Sequence, residues 1–148
     1  MDASTTEKPL VTWDELVGWA MENTDEGWGK IDAVIGSVAD EPEHVLHAVA
    51  DLSHENRNIR DLAASVLEAT SVELADETIV LLKEMLGDEH FYAKFRAACA
   101  LVKHRAYGDQ REEVKAILQE ACADEDDEII SIAQKYLGEL ETQLTSNS

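Results

Sequence analysis

The predicted fold is decided by three stretches of the chain: HENRNIRDLAASVL (54–67), DEHFYAKFRAACAL (88–101) and DEDDEIISIAQKYL (124–137). Each opens with a polar turn, continues with apolar residues at three- and four-residue spacing, and reaches a leucine at its end. Their first residues are separated by 34 and 36 positions, a period typical of repeated helical hairpins. The aligned apolar positions are Ile59, Ala93 and Ile129; Ala63, Ala97 and Ala133; and Leu67, Leu101 and Leu137.

The helices that precede these stretches align as well. Leu52 aligns with Leu86 and Cys122, and Ala48 aligns with Leu82 and Leu118. Small alanines let the second helix of each hairpin approach its neighbours on two sides, and the leucine fills the layer between repeats. The acids of the turns, at 88–89 and 124–125, are expected to cap the helices that follow. Each hairpin therefore needs the next one to bury its apolar surface.

The whole chain is predicted to be helical. Apolar residues recur at helical spacing nearly everywhere, and no segment shows the alternation of a strand. Thr12 and Glu15 form a capping box before the first helix. The eight predicted helices run over about 13–22, 28–38, 42–52, 55–69, 75–86, 88–106, 109–122 and 124–144.

These residues resemble the HEAT repeats, in particular the short HEAT-like repeats of the phycobilisome-lyase type. The resemblance rests on an acidic turn, a basic residue, an alanine pair and a leucine, as in 88–89, Lys94, Ala97, Ala98 and Leu101. It covers about 42–140. It implies an all-α fold, a short right-handed α–α superhelix (solenoid) of HEAT-like hairpins, whose second helices line the concave side.

The residue pattern and the resemblance together predict a division of the chain. Residues 1–11 are expected to be disordered or extended, 12–40 to form an N-terminal helical pair, 41–144 to form three HEAT-like repeats, and 145–148 to be a frayed tail. The N-terminal pair, with its glycines and indoles, fits the repeat pattern poorly. It is therefore either a cap or a divergent repeat.

The charge of the chain favours a cationic partner. Asp and Glu number 32 against 12 Lys and Arg, giving a net charge of -20, while 45% of the 148 residues are hydrophobic. The balance indicates a folded body with an acidic surface. Such a field repels phosphate backbones and anionic lipids, so direct nucleic-acid or membrane binding is not expected. Adaptation to high salt is another explanation of the acidity.

Neither a leader sequence nor a long apolar run is evident near the start, and the chain is expected to be cytoplasmic. The two cysteines, Cys99 and Cys122, are too few for a disulfide scaffold and suit a reducing compartment. Both are expected to be buried structural side chains rather than nucleophiles.

No cofactor or metal is predicted. His44, His47 and Asp51 would share one helical face, which could bind a metal, but His47 aligns with Leu81 and Ile117 and is expected to be partly buried in the repeat. The di-iron deoxyhypusine hydroxylases, which have HEAT repeats, resemble this chain in one His-Glu dipeptide, at 54–55. One dipeptide does not supply their ligand set. The chain also has no phosphate-binding glycine loop and no hydrolase motif, so it is predicted not to be an enzyme.

The candidate partner-binding residues lie at the predicted surface-facing positions of the second helices and in the N-terminal pair. They are Arg57, Arg60, Asp61, Phe91, Tyr92, Lys94, Phe95, Asp127, Glu128, Trp19 and Trp28. Two alternatives stay open. Phe91 and Phe95 could pack between repeats, and Trp19 and Trp28 could close the end of the array instead of anchoring a partner.

The predicted function is that of a non-catalytic acidic adaptor, a protein-protein interaction module for a partner with a basic patch. The alternative is an acidic inhibitor or immunity-type protein, a DNA mimic that blocks a nucleic-acid-binding protein or nuclease. Bilin lyase activity is a third hypothesis, which rests on the resemblance alone. The oligomeric state is left open.

Overall fold

A computed structural model of the protein describes residues 11–146, with side chains through Gln143. Within this part of the chain the structure is all-helical and has no strand. The helices are α1 (Trp13–Glu22), α2 (Asp25–Val38), α3 (Pro42–Asp51), α4 (Arg57–Ala69), α5 (Asp76–Glu84), α6 (Phe91–Lys103), α7 (Arg111–Ala121) and α8 (Asp127–Ser146). Short 3-10 turns at Met85–Gly87 and Gly108–Gln110 follow α5 and precede α7.

The start of α1 confirms the predicted capping box. Thr12 Oγ1 accepts a hydrogen bond from the Glu15 amide at 3.1 Å, and Glu15 Oε1 accepts one from the Thr12 amide at 3.0 Å. Helix α2 begins at Asp25, three residues before the prediction, because Thr24 caps it by accepting from the Gly27 amide. A Cβ at Gly27 would lie 2.7 Å from the carbonyl oxygen of Trp19. Glycine is therefore required where α2 starts against α1.

The three aligned turns share one local geometry. His54 Nδ1, Asp88 Oδ1 and Asp124 Oδ1 each accept a hydrogen bond from the amide two residues further along the chain, at 2.9, 2.8 and 2.8 Å. These bonds hold the turn in a non-helical form. Helices α4, α6 and α8 consequently begin later than predicted, and Asp88 and Asp124 lie before the helix starts rather than at the cap position.

Helices α4 and α6 are the centre of the packing. Helix α4 contacts α1, α2, α3 and α6, and α6 contacts α4, α5, α7 and α8. The aligned alanines Ala63, Ala97 and Ala133 are completely buried in this interior. Helices that follow one another in the chain are also in contact: α1 with α2, α3 with α4, and α7 with α8.

Polar bonds join the second helices to one another at their carboxyl ends. At the carboxyl ends, Lys103 Nζ donates to the carbonyl oxygens of Glu68, Ala69 and Thr70 at 2.8–3.1 Å. These carbonyls belong to the last turn of α4, where a cation is favourable. One hairpin later, Gln143 Nε2 donates to the Val102 carbonyl at 3.0 Å.

None of the helices within residues 11–146 is both long and apolar enough to cross a lipid bilayer. Helix α8 continues through residues 145 and 146, where a frayed tail is predicted. Residues 147–148 of that tail lie outside the described residues, as do residues 1–10 of the predicted extended N-terminus.

Candidate partner-binding cleft

A cleft of about 640 Å³ opens between α2, α4, the start of α6 and the start of α8. Helix α2 forms one wall, and α4 runs along the floor between α2 and α6. We call this feature the cleft. It is lined by Asn23, Asp25, Trp28, Gly29, Ile31, Asp32, Arg57, Asn58, Asp61, Ser65, His90, Tyr92, Arg96, Asp126, Glu128 and Ile129.

Asp61 is the buried carboxylate of the cleft. Its exposed fraction is 8%, and its Oδ1 accepts one long hydrogen bond, from Ser65 Oγ at 3.3 Å. Within the described residues no donor reaches its Oδ2. Burial raises the pKa of Asp61 to about 6, against the opposing effects of Arg96 and the Ser65 hydrogen bond. The ionised form of this carboxylate is therefore poorly stabilised by the protein itself.

Arg96 lies beside Asp61 but pairs with another carboxylate. Its Nη1 donates to Glu68 Oε1 at 3.0 Å, and Glu68 Oε2 also accepts from the Tyr136 hydroxyl at 2.7 Å. The guanidinium thus completes a separate network, and its effect on Asp61 acts through space. Asp32, on the facing helix α2, raises the pKa of Asp61 further.

The cleft as a whole is negative. Five carboxylates line it, from Asp25, Asp32, Asp61, Asp126 and Glu128, against the guanidiniums of Arg57 and Arg96. Burial, together with the charge of Arg57, lowers the pKa of His90, so this imidazole is neutral near pH 7. A concave surface with an excess of one charge concentrates the opposite ion. The geometry therefore suits a cationic ligand.

Two aromatic rings line the cleft, Trp28 and Tyr92. The indole Nε1 of Trp28 donates to Asn23 Oδ1 at 3.0 Å, and the Tyr92 hydroxyl donates to Asp124 Oδ2 at 3.1 Å. Both polar edges are thereby held in place. Tyr92 is 38% exposed, which leaves ring surface open to solvent.

The other candidate aromatic residues already carry a cation from this chain. Lys30 lies 5.7 Å from the ring centre of Trp19, Lys94 lies 5.8 Å from that of Phe91, and Arg96 lies 5.6 Å from that of Phe95. No such cation lies over Trp28 or Tyr92 among the described residues. The two rings of the cleft are thus the two candidate rings whose faces are not used by the chain's own cations.

Five of the eleven predicted residues line the cleft: Trp28, Arg57, Asp61, Tyr92 and Glu128. The prediction that Asp61 faces the surface is wrong, because its side chain is buried where α4 packs among its neighbouring helices. Asp61 lines the cleft as a buried side chain and not as an exposed one.

Arg60 does not line the cleft. Its Nε and Nη2 donate to both carboxylate oxygens of Asp88, at 2.7 and 2.9 Å, and its Nη1 donates to the carbonyls of His54 and Glu55. We call this arrangement the Arg60–Asp88 junction. It ties the start of α4 to the turn before α6.

Phe95 is completely buried, so its predicted surface-facing position is wrong. Phe91 is half-buried and stacks on Phe95 with ring centres 6.1 Å apart. The alternative that these two rings pack in the interior therefore fits the structure. Trp19 is half-buried against the core, and Lys94 and Asp127 lie outside the cleft lining.

Several cleft residues are not predicted from the sequence, among them Asp32, Asn58, Ser65, His90, Arg96 and Asp126. Arg96 carried a usable signal, because it aligns with Leu62 and Ile132. A charged residue at a repeat position that is otherwise apolar indicates a local function or a buried ion pair. Asp32 carried no comparable signal, since its place depends on how α2 packs.

The arrangement of polar groups does not resemble an activated nucleophile. Ser65 Oγ donates to Asp61 rather than to the imidazole of His90. Elsewhere, burial raises the pKa of the Cys99 thiol well above its ordinary value, and Cys122 is half-buried. A buried thiol with a raised pKa is a structural side chain.

The predicted histidine face is used for packing. The buried His44 has its Nε2 2.9 Å from the Val11 carbonyl oxygen, while Asp51 accepts from the Trp13 indole at 2.9 Å. His47 stacks on Trp13 at 5.8 Å and is exposed, so its predicted partial burial is wrong. Within residues 11–146 no group of three His, Cys, Asp or Glu side chains is placed to hold a metal ion.

A second cavity, of about 520 Å³, lies where the end of α6 meets α8, and its lining includes Lys103, Arg105 and Lys135. Lys103 is bonded there to the carbonyls that end α4. The chain was also compared with protein-family models, curated proteins and solved structures, and none of them matched. The functional argument therefore rests on the geometry of this chain.

Proposed function

We propose that this protein is a non-catalytic acidic binding module, an adaptor that docks a partner protein through a basic segment held in the cleft. The observation that carries the proposal is the cleft itself, where one negative cavity holds a buried, poorly paired carboxylate and two aromatic rings over which no cation of the described residues lies. Its volume of about 640 Å³ suits a few side chains of a partner.

The same proposal includes the architecture: a short right-handed superhelix of HEAT-like hairpins, with the cleft on its concave side. Three observations support it. The aligned alanines are all buried, the aligned turns share one hydrogen-bond geometry, and α4, α6 and α8 contact in succession. Repeats of this kind stack neighbour on neighbour and bind partners along the concave surface.

The test compares two neutralised variants that lose the same charge. In the cleft variant, Asp32→Asn and Glu128→Gln remove two lining carboxylates for which the described residues show no hydrogen bond. In the matched variant, Glu84→Gln and Glu120→Gln remove two exposed carboxylates of α5 and α7. The probe is a short arginine-rich peptide, with its citrulline analogue as the uncharged control.

We expect the cleft variant to bind the arginine-rich peptide about tenfold more weakly at low salt, and the matched variant to change by less than about twofold. Binding of the wild type should weaken steeply with added salt, because the attraction is screened. The proposal fails if the citrulline peptide binds as well as the arginine peptide. It also fails if both variants lose affinity equally, a result that would favour the inhibitor alternative, in which carboxylates all over the surface act together.

A further inference from the structure

The floor of the cleft holds a carboxylate whose second oxygen has no partner within the chain. Asp61 is more than nine-tenths buried and lines the cleft, yet its one hydrogen bond, from Ser65, reaches Oδ1 only. The second oxygen, Oδ2, is not one of the fully buried polar atoms that lack a partner, so it is open to solvent in the cleft. An oxygen left open toward a cavity is therefore placed to receive a donor from outside.

Arg96, the cation that acts on Asp61 through space, is committed elsewhere, and Arg57 is the other cation that lines the cleft. Arg96 is bonded to Glu68, and Arg60, next to Asp61 in sequence, is bonded to Asp88. Asp61 is thus the buried acid of the cleft that the chain leaves without an ion pair, whereas the other acids of the lining, Asp25, Asp32, Asp126 and Glu128, are exposed.

Resting on the proposed function, we infer that the cleft takes a single arginine side chain of the partner, whose guanidinium binds Asp61 at the floor while its plane stacks on Trp28 or Tyr92. The guanidinium supplies the donor that Asp61 Oδ2 lacks. The rings are the two whose faces the chain's own cations leave uncovered.

Arginine suits this site better than lysine for two reasons. Asp32 faces Asp61 closely enough to affect its ionisation, and a planar guanidinium has donors on separate edges that can reach two carboxylates. It also stacks on aromatic faces while it donates, whereas an ammonium acts as a compact point charge with strong hydration.

Binding at Asp61 should be coupled to its proton. Because burial raises the pKa of Asp61 to about 6, part of the population is protonated at pH 6, and a bound guanidinium requires the ionised form. Affinity should therefore fall as the pH falls through about 6, with a proton released on binding. The charged and titratable groups that also face this region are Asp25, Asp32, Arg57, Glu68, His90, Tyr92, Arg96, Asp126 and Glu128.

The experiment is calorimetric titration of the full chain with the arginine-rich peptide, at pH 6 and pH 8, in two buffers of different ionisation enthalpy. The variant is Asp61→Asn, which keeps the shape and the hydrogen bond to Ser65. The matched control is Glu84→Gln on the exposed face of α5. A lysine-rich peptide of the same length is titrated in parallel, and circular dichroism checks that each variant is folded.

We expect Asp61→Asn to lose about tenfold or more in affinity at pH 8 and to release no proton at pH 6, with Glu84→Gln unchanged. The lysine peptide should bind several-fold more weakly than the arginine peptide. Unchanged affinity and proton release in Asp61→Asn, or equal affinity for the two peptides, would overturn the inference while leaving the proposed function in place. Failure of every basic peptide to bind the wild type would overturn the proposed function too.

Discussion

Arg60 and Asp61 are adjacent in sequence, yet they belong to opposite kinds of site. The Arg60–Asp88 junction is closed, because every guanidinium nitrogen has an acceptor and both oxygens of Asp88 have donors. In the cleft, Asp61 keeps one oxygen without a donor among the described residues and has its pKa raised by burial. Asp88 is paired with the nearby Arg60. Asp61 lies near Arg96, but Arg96 is paired with Glu68 instead.

The contrast distinguishes a carboxylate that holds the fold from one that the fold leaves poorly paired. Burial by itself raises the pKa of Asp88. The hydrogen bonds from Arg60 and from the His90 amide outweigh this effect and leave the pKa below its ordinary value. Asp88 ionised is therefore stabilised by folding, whereas Asp61 ionised is not. A carboxylate that costs stability and faces a cavity is typical of binding sites rather than of structural ones.

The largest effect should come from breaking the junction. Arg60→Ala removes a half-buried ion pair and leaves the Asp88 carboxylate, whose side chain is 7% exposed, without its main partner. We expect a loss of about 3 kcal/mol in the free energy of unfolding, measured by urea denaturation at pH 7.

The pH dependence gives this prediction its control. Since the pKa of Asp88 is lowered in the folded state, its stabilising effect is present above the unfolded pKa and lost as the pH falls through the folded one. The difference in free energy of unfolding between wild type and Arg60→Ala should therefore become smaller at acidic pH. A variant as stable as wild type at pH 7 would show that the junction does not hold the hairpins together.

A smaller effect of opposite sign is expected at Asp61. The folded pKa of Asp61, about 6, lies above that of an ordinary aspartate. The free energy of unfolding therefore falls as the pH rises between these two values, and the full cost is present above about pH 6. The difference corresponds to about 3 kcal/mol, which solvent in the cleft reduces. Asp61→Asn should stabilise the protein by up to about 2 kcal/mol at pH 8, and the gain should vanish below about pH 4.

Thermal unfolding of wild type and Asp61→Asn across this pH range measures the effect. Glu84→Gln removes the same charge from the exposed surface. It should change the free energy of unfolding by no more than a few tenths of a kcal/mol at either end of the pH range. Destabilisation by Asp61→Asn at pH 8 would mean that Asp61 is paired as well as Asp88, and the comparison between the two sites would not hold.

The smallest effect should come from the edge of the cleft. Tyr92→Phe removes the hydrogen bond to Asp124, between two partly exposed groups, and should cost about 0.5 kcal/mol. Tyr136→Phe removes the bond to Glu68, which also pairs with Arg96, and should cost more. Equal losses in chemical denaturation would indicate that Tyr92 is a structural residue.

Much of the fold could be predicted because it depends on local pattern. The capping box at Thr12, the ends of α1, and the burial of Ala63, Ala97 and Ala133 all follow from residue spacing. Starts of the second helices were placed too early because the side chains of the turn, such as Asp88, bond the amide two residues on and delay the helix. Periodicity does not report that competition.

The cleft depended on long-range packing, which the sequence pattern does not contain. The repeat alignment predicts Asp61 and Phe95 at surface-facing positions, but α4 and α6 each contact several other helices. The bond that removes Arg60 from the binding surface spans 28 residues. Spacing within one helix could not distinguish Arg60, which is bonded, from its neighbour Asp61, which is open.

The most direct test of the central claim is to map where the arginine-rich peptide binds, by its effect on the backbone amide and indole resonances of the full chain in nuclear magnetic resonance spectra. We expect the largest shifts at Asp61, Tyr92 and the Trp28 indole, with the exposed faces of α5 and α7 unaffected. Shifts confined to α5 and α7, or spread evenly over the acidic surface, would contradict the account.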